Sequence, residues 1–200
     1  MQEQFKVRNR ALQIATEVRA CRRCPGMNLK GQTEAAPAFG DPSSLVVFVG
    51  QSLCRPCMAT QIPFTGGSGR FLDRAFELAG VKKAELFITN VVHCHPPENR
   101  PSSPDEVEAC TPFLVRELSL ARRRLIVALG RDAAAALRLV RSSDRFLPAD
   151  FDFESAGPEL STDGPCVWEA RHPSYILRQP AIARDSYVRC LARALIWART

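Results

Sequence analysis

Four short apolar runs recur along the chain with helical patterns between them, and this alternation limits the fold more than any other feature. The runs are LVVFVG at 45–50, LFITNVV at 86–92, RLIVALG at 124–130 and CVWEAR at 166–171. Their length and composition are typical of strands buried in a parallel sheet. Because strands alternate with helices, the sequence predicts one α/β domain over residues 1–200 with a parallel sheet of about four strands.

The first two helical patterns have clear apolar faces. Residues 3–20 carry apolar side chains at helical spacing, namely Phe5, Leu12, Ala15 and Val18. A Gly-rich turn, TGGSG at 65–69, precedes a second stripe made by Leu72, Ala75, Phe76 and Ala79. Gly80 fits the C-terminal cap of that second helix.

Three further helices follow. Ser103 and Glu106 form a capping box around Pro104, which marks a helix start. The Ala-rich segment 131–140 is the next helix, and 181–199 the last, with a buried face of Val188, Leu191 and Leu195. Residues 25–43 and 141–165 are predicted as loops.

Topology places the candidate ligand site at one edge of the sheet. In open parallel sheets the ligand crevice lies beyond the carboxyl ends of the strands. Three segments with unusual sequences fall there, at residues 50–69, 90–100 and 172–178.

Composition excludes several classes of protein. Hydrophobic residues are 46% and charged residues 24%, which is ordinary for a globular chain and excludes a disordered or fibrous one. No apolar stretch is long enough for a membrane span, and MQEQFKVRNR at the start has no apolar run behind its charges. We therefore expect a cytoplasmic monomer that does not enter a membrane.

The net charge of +6 is concentrated at the two ends of the chain. Residues 1–30 hold seven basic and two acidic side chains, and residues 171–200 hold six Arg and one Asp. Two basic ends around a mildly acidic middle indicate a polyanionic partner such as nucleic acid. Two solvated helix faces are the alternative explanation.

Eight cysteines are unexpected in a chain predicted to stay in a reducing compartment, where metal or redox chemistry is commoner than disulfides. Two CxxC pairs, Cys21/Cys24 and Cys54/Cys57, would together make a Cys₄ zinc ribbon. Joining the first pair to Cys94 and Cys110 gives instead four thiolates suited to an iron–sulfur cluster. Spacing alone does not decide between these two sites. Cys166 and Cys190 are predicted to be packed small hydrophobes.

Five blocks of sequence, taken in order, resemble the iron–sulfur branch of the uracil-DNA glycosylase superfamily, family 4. They are CRRCP at 21–25, VGQSLCRPCMATQIPFTGGSG at 49–69, ITNVVHCHPPENR at 88–100, EVEACTPFL at 106–114 and HPSYILR at 172–178. The resemblance implies a three-layer α/β/α fold around a four-stranded parallel sheet. It also implies a [4Fe–4S] cluster on Cys21, Cys24, Cys94 and Cys110.

The resemblance further implies roles in taking uracil out of single- or double-stranded DNA and hydrolysing its glycosidic bond. Gly50 would help to bind the flipped base, Phe64 would stack on it, Asn90 would pair with its edge, and His172 would stabilise the charge on the leaving base. Phosphate contacts would come from the turn and the HPS motif, through Gly66, Gly67, Ser68 and Ser174. The remaining matched residues would enter the base stack or touch the backbone, namely Tyr175, Ile176, Leu177 and Arg178.

The first motif departs from the family. It reads Gly-Gln-Ser-Leu-Cys-Arg-Pro-Cys-Met from Gly50, and no carboxylate lies between Asp41 and Asp73 to activate water. We expect Gln51 or Ser52 to hold the water instead, and Cys54 and Cys57 to pack in the loop rather than to form a disulfide or bind a second metal. Three rival functions remain: a DNA-binding protein without chemistry, a redox or zinc module, and a glycosylase for another deaminated base.

Overall fold

A computed structural model describes residues 2–157, 160 and 164–200. Its strands form a single sheet in the order β1-β3-β2-β4-β6-β5. In chain order the strands are β1 (Phe39–Gly40), β2 (Val46–Ser52), β3 (Phe87–Val92), β4 (Leu125–Ala128), β5 (Arg145–Leu147) and β6 (Cys166–Trp168). The four strands predicted from the apolar runs are β2, β3, β4 and β6, and they lie side by side and parallel.

The predicted number of strands is too low, because the described part of the chain contributes six. The two additional strands lie at the edges, and β1 runs antiparallel to β3. Both fall in segments predicted as loops, since strands of two and three residues give no periodic signal. Gly40 belongs to β1, and a Cβ there would lie 1.8 Å from the Leu86 carbonyl oxygen, so the edge strand pairs closely only because this residue is glycine.

Seven α-helices occur among the described residues. They are α1 (Gln2–Ala20), α2 (Arg55–Thr60), α3 (Arg70–Leu78), α4 (Pro104–Leu118), α5 (Arg131–Val140), α6 (Pro173–Leu177) and α7 (Ala181–Trp197). The five predicted helices are confirmed, including the capping box of Ser103 with Glu106. The short helices α2 and α6 escaped prediction because one turn of helix shows no apolar period. No helix in the described ranges is long and apolar enough to cross a membrane.

The helices cover both faces of the sheet and bury two separate cores. Along β2, Val46 and Phe48 point into one core, while Val47 and Val49 point into the other. Helices α3, α6 and α7 close the first core, and α1, α4 and α5 close the second. The three-layer α/β/α arrangement expected from the sequence is therefore confirmed.

The buried face of helix α1 matches its spacing only in part, because Val18 is buried as predicted while two other residues of the predicted face are not. Phe5 and Leu12 are exposed, whereas Val7, Ile14 and Val18 are buried against the second core. The helix touches the core only along this narrow stripe, and Glu17 holds it to α4 through an ion pair with Arg116 in which Nη2 and Oε1 are 2.9 Å apart. A helix packed on one neighbour leaves part of its apolar surface in water, which sequence spacing does not reveal.

Candidate active site

Four adjacent parallel strands bring a set of motif residues to one edge of the sheet. Asn90 lies in β3 beside Gly50 of β2, Gly130 follows β4, and His172 follows β6. Asn90 and His172 line a cavity of about 400 Å³ at this edge. Its walls are formed by Gln51, Ser52, Leu53, Cys54, Pro56, Cys57, Pro63, Phe64, Thr65, Gly66, Gly67, Ser68, Gly69, Asn90, Asn99, His172 and Ser174. This is the crevice that the topology predicted.

Gly50 makes room for the two side chains that define the base of the cavity. A Cβ at Gly50 would lie 2.4 Å from Oδ1 of Asn90 and 2.8 Å from Cζ of Phe64. Only a hydrogen at this position lets the amide and the aromatic ring approach from opposite sides. The Asn90 side chain is 4% exposed, so its amide is a buried polar group on the wall of an open cavity.

Phe64 is held in an unusual backbone conformation. Its φ is 54°, a left-handed value that is uncommon for a bulky residue. Gly69 allows this bend, because a Cβ there would lie 2.0 Å from the Phe64 carbonyl oxygen. Lys83 donates a hydrogen bond from Nζ to that oxygen at 3.2 Å and forms an ion pair with Asp73. The ring is therefore fixed in place, with its centroid 6.3 Å from that of His172.

His172 begins α6 as a neutral hydrogen-bond donor. The backbone N–H of Ser174 donates to Nδ1 at 3.1 Å, and Oγ of Ser174 lies 2.7 Å from the same nitrogen. A nitrogen that accepts carries no proton, so the proton of the neutral ring is on Nε2. Burial lowers the pKa of His172, although the charge of Asp132 partly opposes this. At neutral pH the residue offers an N–H donor rather than a positive charge.

The wall formed by the first motif contains a disulfide. Cys54 and Cys57 are bonded to each other, which corrects the expectation that they only pack. Their Cα atoms are 5.0 Å apart because Cys54 caps α2 and Cys57 lies in its first turn. Gln51 and Ser52 precede this wall at the end of β2, and both are half-buried on the cavity.

The segments matched to phosphate and stack contacts lie at the rim. Gly66 and Gly67 are exposed and have positive φ values, and the turn Gly67–Gly69 leads directly into α3. In α6 and at its end, Ser174, Tyr175, Leu177 and Arg178 are exposed. Ile176 is 3% exposed and packs in the first core, so it cannot enter a base stack from this position. Its expected part in the wedge is therefore wrong.

A second, smaller cavity collects four cysteines from separate segments. Cys21 follows α1, Cys24 lies in the next turn, Cys94 follows β3, and Cys110 is in α4. All four are free thiols. In the described ranges no three His, Cys, Asp or Glu side chains are close enough to hold a single metal ion, so the four thiols surround a space rather than a point. The zinc ribbon that would use Cys54 and Cys57 is excluded, because those two sulfurs are bonded to each other.

Burial and the neighbouring thiols raise the pKa of two of these cysteines, Cys94 and Cys24. Burial raises the pKa of Cys94 to about 12, and the neighbouring Cys110, Cys21 and Cys24 add to the effect. The pKa of Cys24 is raised for the same reasons. Thiols whose pKa is raised in this way ionise at neutral pH only beside a compensating cation. The chemistry of the donor set therefore fits a metal cluster.

A buried ion pair lies beside the four thiols. His93 and Glu117 are both 2% exposed in their side chains, with His93 Nε2 and Glu117 Oε1 3.1 Å apart. Burial lowers the pKa of His93, but the Glu117 carboxylate and Cys110 outweigh it and raise the value to about 10. Arg23 also lines the cysteine cavity and stacks on Phe113.

Cys166 and Cys190 behave as packed hydrophobes. Cys166 is 0% exposed within the first core, and Cys190 is partly buried against the same core. Their prediction from the sequence is confirmed.

Sequence reasoning missed three residues that shape these sites. Asn99 lines the cavity at the strand ends and has a φ of 55°. The only feature of the sequence that indicates this conformation is an Asn in a Pro-rich loop. Lys83 acts on Phe64 from 19 positions away, and no local pattern indicates that contact. His95 is buried and lies 2.9 Å, through Nδ1, from the Leu53 carbonyl oxygen, which links the loop after β3 to the loop after β2.

The groove between α1 and β1 is larger, at about 660 Å³, but it contains none of the motif residues. Its lining includes Leu12 and Ala15, the residues of α1 that the sequence placed in the core. The cavity at the strand ends, which contains the motif residues, is therefore the candidate active site.

The chain is similar to proteins of one known family. The model of the family described as the uracil DNA glycosylase superfamily matches residues 37–195. The match contains every residue that lines the cavity at the strand ends. It also contains two of the four gathered cysteines, Cys94 and Cys110.

Several curated relatives carry the name type-4 uracil-DNA glycosylase, and three of them show the extent of the similarity. The protein of Archaeoglobus fulgidus is 38% identical over 60% of this chain and 60% of its own length. The protein of Pyrobaculum aerophilum is 32% identical over 82% of this chain and 83% of its own length. The protein of Thermotoga maritima is 30% identical over 86% of this chain and 85% of its own length. The chain thus spans less than two thirds of the first relative and most of the other two.

Proposed function

Because the chain belongs to the uracil DNA glycosylase superfamily, we propose that it is a DNA repair glycosylase that excises uracil and leaves an abasic site. The observation that carries this proposal is the convergence of Asn90, Phe64 and His172 on one cavity. These residues supply an amide, an aromatic face and a neutral N–H donor, which together suit a flipped, planar base. The names of the curated relatives support the same activity.

Asn90 reads the edge of the base. Its amide offers one donor and one acceptor, which match O4 and N3–H of uracil and mismatch the corresponding edge of cytosine. Because the side chain is buried, a base that leaves either group unpaired pays a desolvation cost. Phe64 stacks on the base face, and Gly50 keeps the space between them open.

His172 stabilises the leaving base. As the glycosidic bond breaks, negative charge collects on O2 of uracil, and an N–H donor fixed beside that oxygen lowers the barrier. The Ser174 N–H that binds Nδ1 keeps the donor proton on Nε2. A positioned donor of this kind contributes about 10²- to 10³-fold in rate.

Water is held by Gln51 or Ser52. Both are on the cavity wall, and none of the described residues that line the cavity is a carboxylate. Hydrolysis then depends on the stabilised leaving group more than on a general base, which is worth about 10²- to 10⁴-fold where one is present. We therefore expect this enzyme to be slower than one with a carboxylate general base, and to release the same product.

DNA lies across the rim of the cavity. The N–H groups of Gly66, Gly67 and Ser68 approach one phosphate, and Ser174 another. Tyr175 and Leu177 are exposed and enter the stack, and Arg178 contacts the backbone. The substrate is uracil-containing DNA, single- or double-stranded.

Cys21, Cys24, Cys94 and Cys110 hold a [4Fe–4S] cluster. Four thiols, two of them buried and two half-buried, line one small cavity and form no disulfide among themselves, which supports this ligand set. The cluster supplies a cross-link between the end of α1, the loop after β3 and α4. None of the bond-breaking groups depends on it directly, since Asn90 and His172 act through their own side chains.

A base-release assay tests the proposal. We expect uracil release from single- and double-stranded DNA, and little release of hypoxanthine, xanthine or mismatched thymine. His172→Ala is expected to lose about 10²- to 10³-fold in kcat, because the donor to O2 is gone. Iron content and thermal melting of the variant control for misfolding.

Two of the rival functions, a glycosylase for another base and a DNA-binding protein without chemistry, have their own outcomes in this assay. Full activity of His172→Ala would reject the assigned mechanism. Preferred release of another base would indicate a different lesion, and salt-dependent DNA binding without any base release would indicate a binding protein.

A further inference from the structure

We propose that Cys54 and Cys57 form a thiol–disulfide exchange site, opened by a dithiol reductant, that sets the width of the candidate pocket. The inference rests on the proposed function only for the identity of the base that enters the pocket. It concerns two residues at which this chain departs from the resembled family, and the mechanism above gives them no task.

Both sulfurs belong to the pocket wall. Cys54 and Cys57 line the cavity together with Asn90, Phe64 and His172. The pair directly follows the end of β2, which carries Gln51 and Ser52. A movement of this wall therefore changes the space in which the base and the water bind.

The two cysteines differ in their access to a reductant. Cys57 is 2% exposed, whereas Cys54 is half-buried on the cavity side. Attack therefore falls on Sγ of Cys54. A thiolate of the reductant bonds to this sulfur, the Cys54–Cys57 bond breaks, and Cys57 leaves as a thiolate that takes up a proton.

The reductant completes the exchange with its second thiol. That thiol attacks the mixed disulfide, Cys54 is released as a thiol, and the reductant leaves as a cyclic disulfide. Two electrons and two protons have then passed from the dithiol to the protein, and no other co-reactant is needed.

Reduction changes the space that the pair needs. Two bonded sulfurs lie closer together than two thiols in van der Waals contact. Cys57 is packed tightly with Ala36, Leu53 and Met58, so it cannot yield inward. Cys54 must move instead, and its free side faces the cavity. The reduced protein therefore has the narrower pocket and binds the flipped base more weakly.

The redox state of the pair can be read without DNA. The tryptic peptide of residues 31–70 contains Cys54 and Cys57 and no other cysteine, and its Arg55–Pro56 bond resists trypsin. We expect this peptide to take up no N-ethylmaleimide in air-purified holoprotein and two equivalents after dithiothreitol.

The effect on the pocket is measured as affinity for DNA that carries 2′-fluoro-2′-deoxyuridine, whose glycosidic bond resists cleavage. The reduced protein is expected to bind at least about tenfold more weakly than the oxidised one, as for one misplaced group in a fitted pocket. The double variant C54S/C57S has no disulfide to reduce, so its affinity is expected to be the same with and without dithiothreitol. Cys190→Ser, a matched control outside the pocket, is expected to respond like the wild type.

Two results would overturn the inference: labelling of the peptide before any reductant is added, or equal affinity in both redox states at constant iron content. Absence of uracil release in both states would reject the proposed function instead. The affinity comparison would still decide the inference, because binding of the fluorinated DNA needs no cleavage.

Discussion

The two CxxC pairs have the same spacing and opposite fates. Cys54 and Cys57 are joined as a disulfide in the pocket wall, whereas Cys21 and Cys24 remain free thiols beside Cys94 and Cys110. We call these regions the disulfide wall and the thiol cavity. The contrast teaches that CxxC only brings two sulfurs together, and that the segments packed around them decide what they become.

The neighbours of each pair account for the difference. Helix α1 ends at Ala20, and the following turn faces the loop after β3 and α4, which supply two more thiols. Around the disulfide wall the packed neighbours are apolar, namely Ala36, Leu53 and Met58, and none of them adds a thiol. Four converging thiols suit a cluster, and two isolated ones suit a disulfide.

Removing one sulfur from each region should give the largest contrast. Cys110→Ser is expected to lose iron about tenfold or more and to melt at a clearly lower temperature, because metal binding contributes directly to folding. Cys57→Ser is expected to keep its iron and its absorbance near 400 nm. Iron analysis, visible spectra and thermal melting check both variants.

The comparison also has a decisive counter-result. If the double variant C54S/C57S lost iron while Cys110→Ser kept it, the assignment of ligands to the two regions would be wrong. Cys166→Ser is a useful further control, because this buried cysteine lies in neither region.

Hydrogen bonds of Leu53 to the loop after β3 join the two regions. Breaking one of them should lower the free energy of unfolding by an intermediate amount. The Leu53 N–H lies 3.4 Å from the Cys94 carbonyl oxygen, and His95 donates from Nδ1 to the Leu53 carbonyl oxygen at 2.9 Å. His95→Phe leaves that buried oxygen without its donor, which is expected to cost about 1–3 kcal/mol. Urea unfolding of the holoprotein measures this loss.

His95→Asn is the matched control for this connection. An Asn amide can place a donor near the position of Nδ1, so this variant should recover much of the lost stability. Equal stability of His95→Phe and the wild type would show that the two regions do not depend on this hydrogen bond. The iron content of both variants should stay close to that of the wild type, since neither changes a thiol.

The sequence predicted the parts of the molecule that rest on repeated or adjacent residues. The four central strands and the Ser103 cap follow from local patterns that one short segment contains in full. The convergence of Asn90 and His172 followed from topology, because the carboxyl ends of parallel strands share one edge.

The rest depends on contacts between distant segments. Pairing of β1 needs Gly40 beside Leu86, and the bend at Phe64 needs Lys83. The bond between Cys54 and Cys57 depends on a helical turn too short to leave a periodic pattern. Ile176 has the apolar character of a wedge residue, and only the packing of α6 shows that it faces the core.

The smallest expected effect is a loss of folding stability at low pH that comes from the pocket and not from the thiol cavity, because His172 lies in the pocket alone. Burial lowers its pKa in the folded protein below the ordinary value of about 6.5, so the unfolded chain binds more protons between the two values. Stability from this residue is complete above about pH 6.5 and decreases as the pH falls towards the lowered pKa, by at most about 1.4 kcal/mol per pH unit.

Urea unfolding of the wild type and His172→Gln between about pH 5 and 7.5 measures this loss of stability, and the variant should show the flatter profile. The raised pKa of His93 adds a slope of the opposite sign above about pH 6.5, but this slope is the same in both proteins and cancels in their comparison. Constant iron content would exclude the thiol cavity as the source. Parallel profiles for the two proteins would mean that His172 is not held neutral by burial.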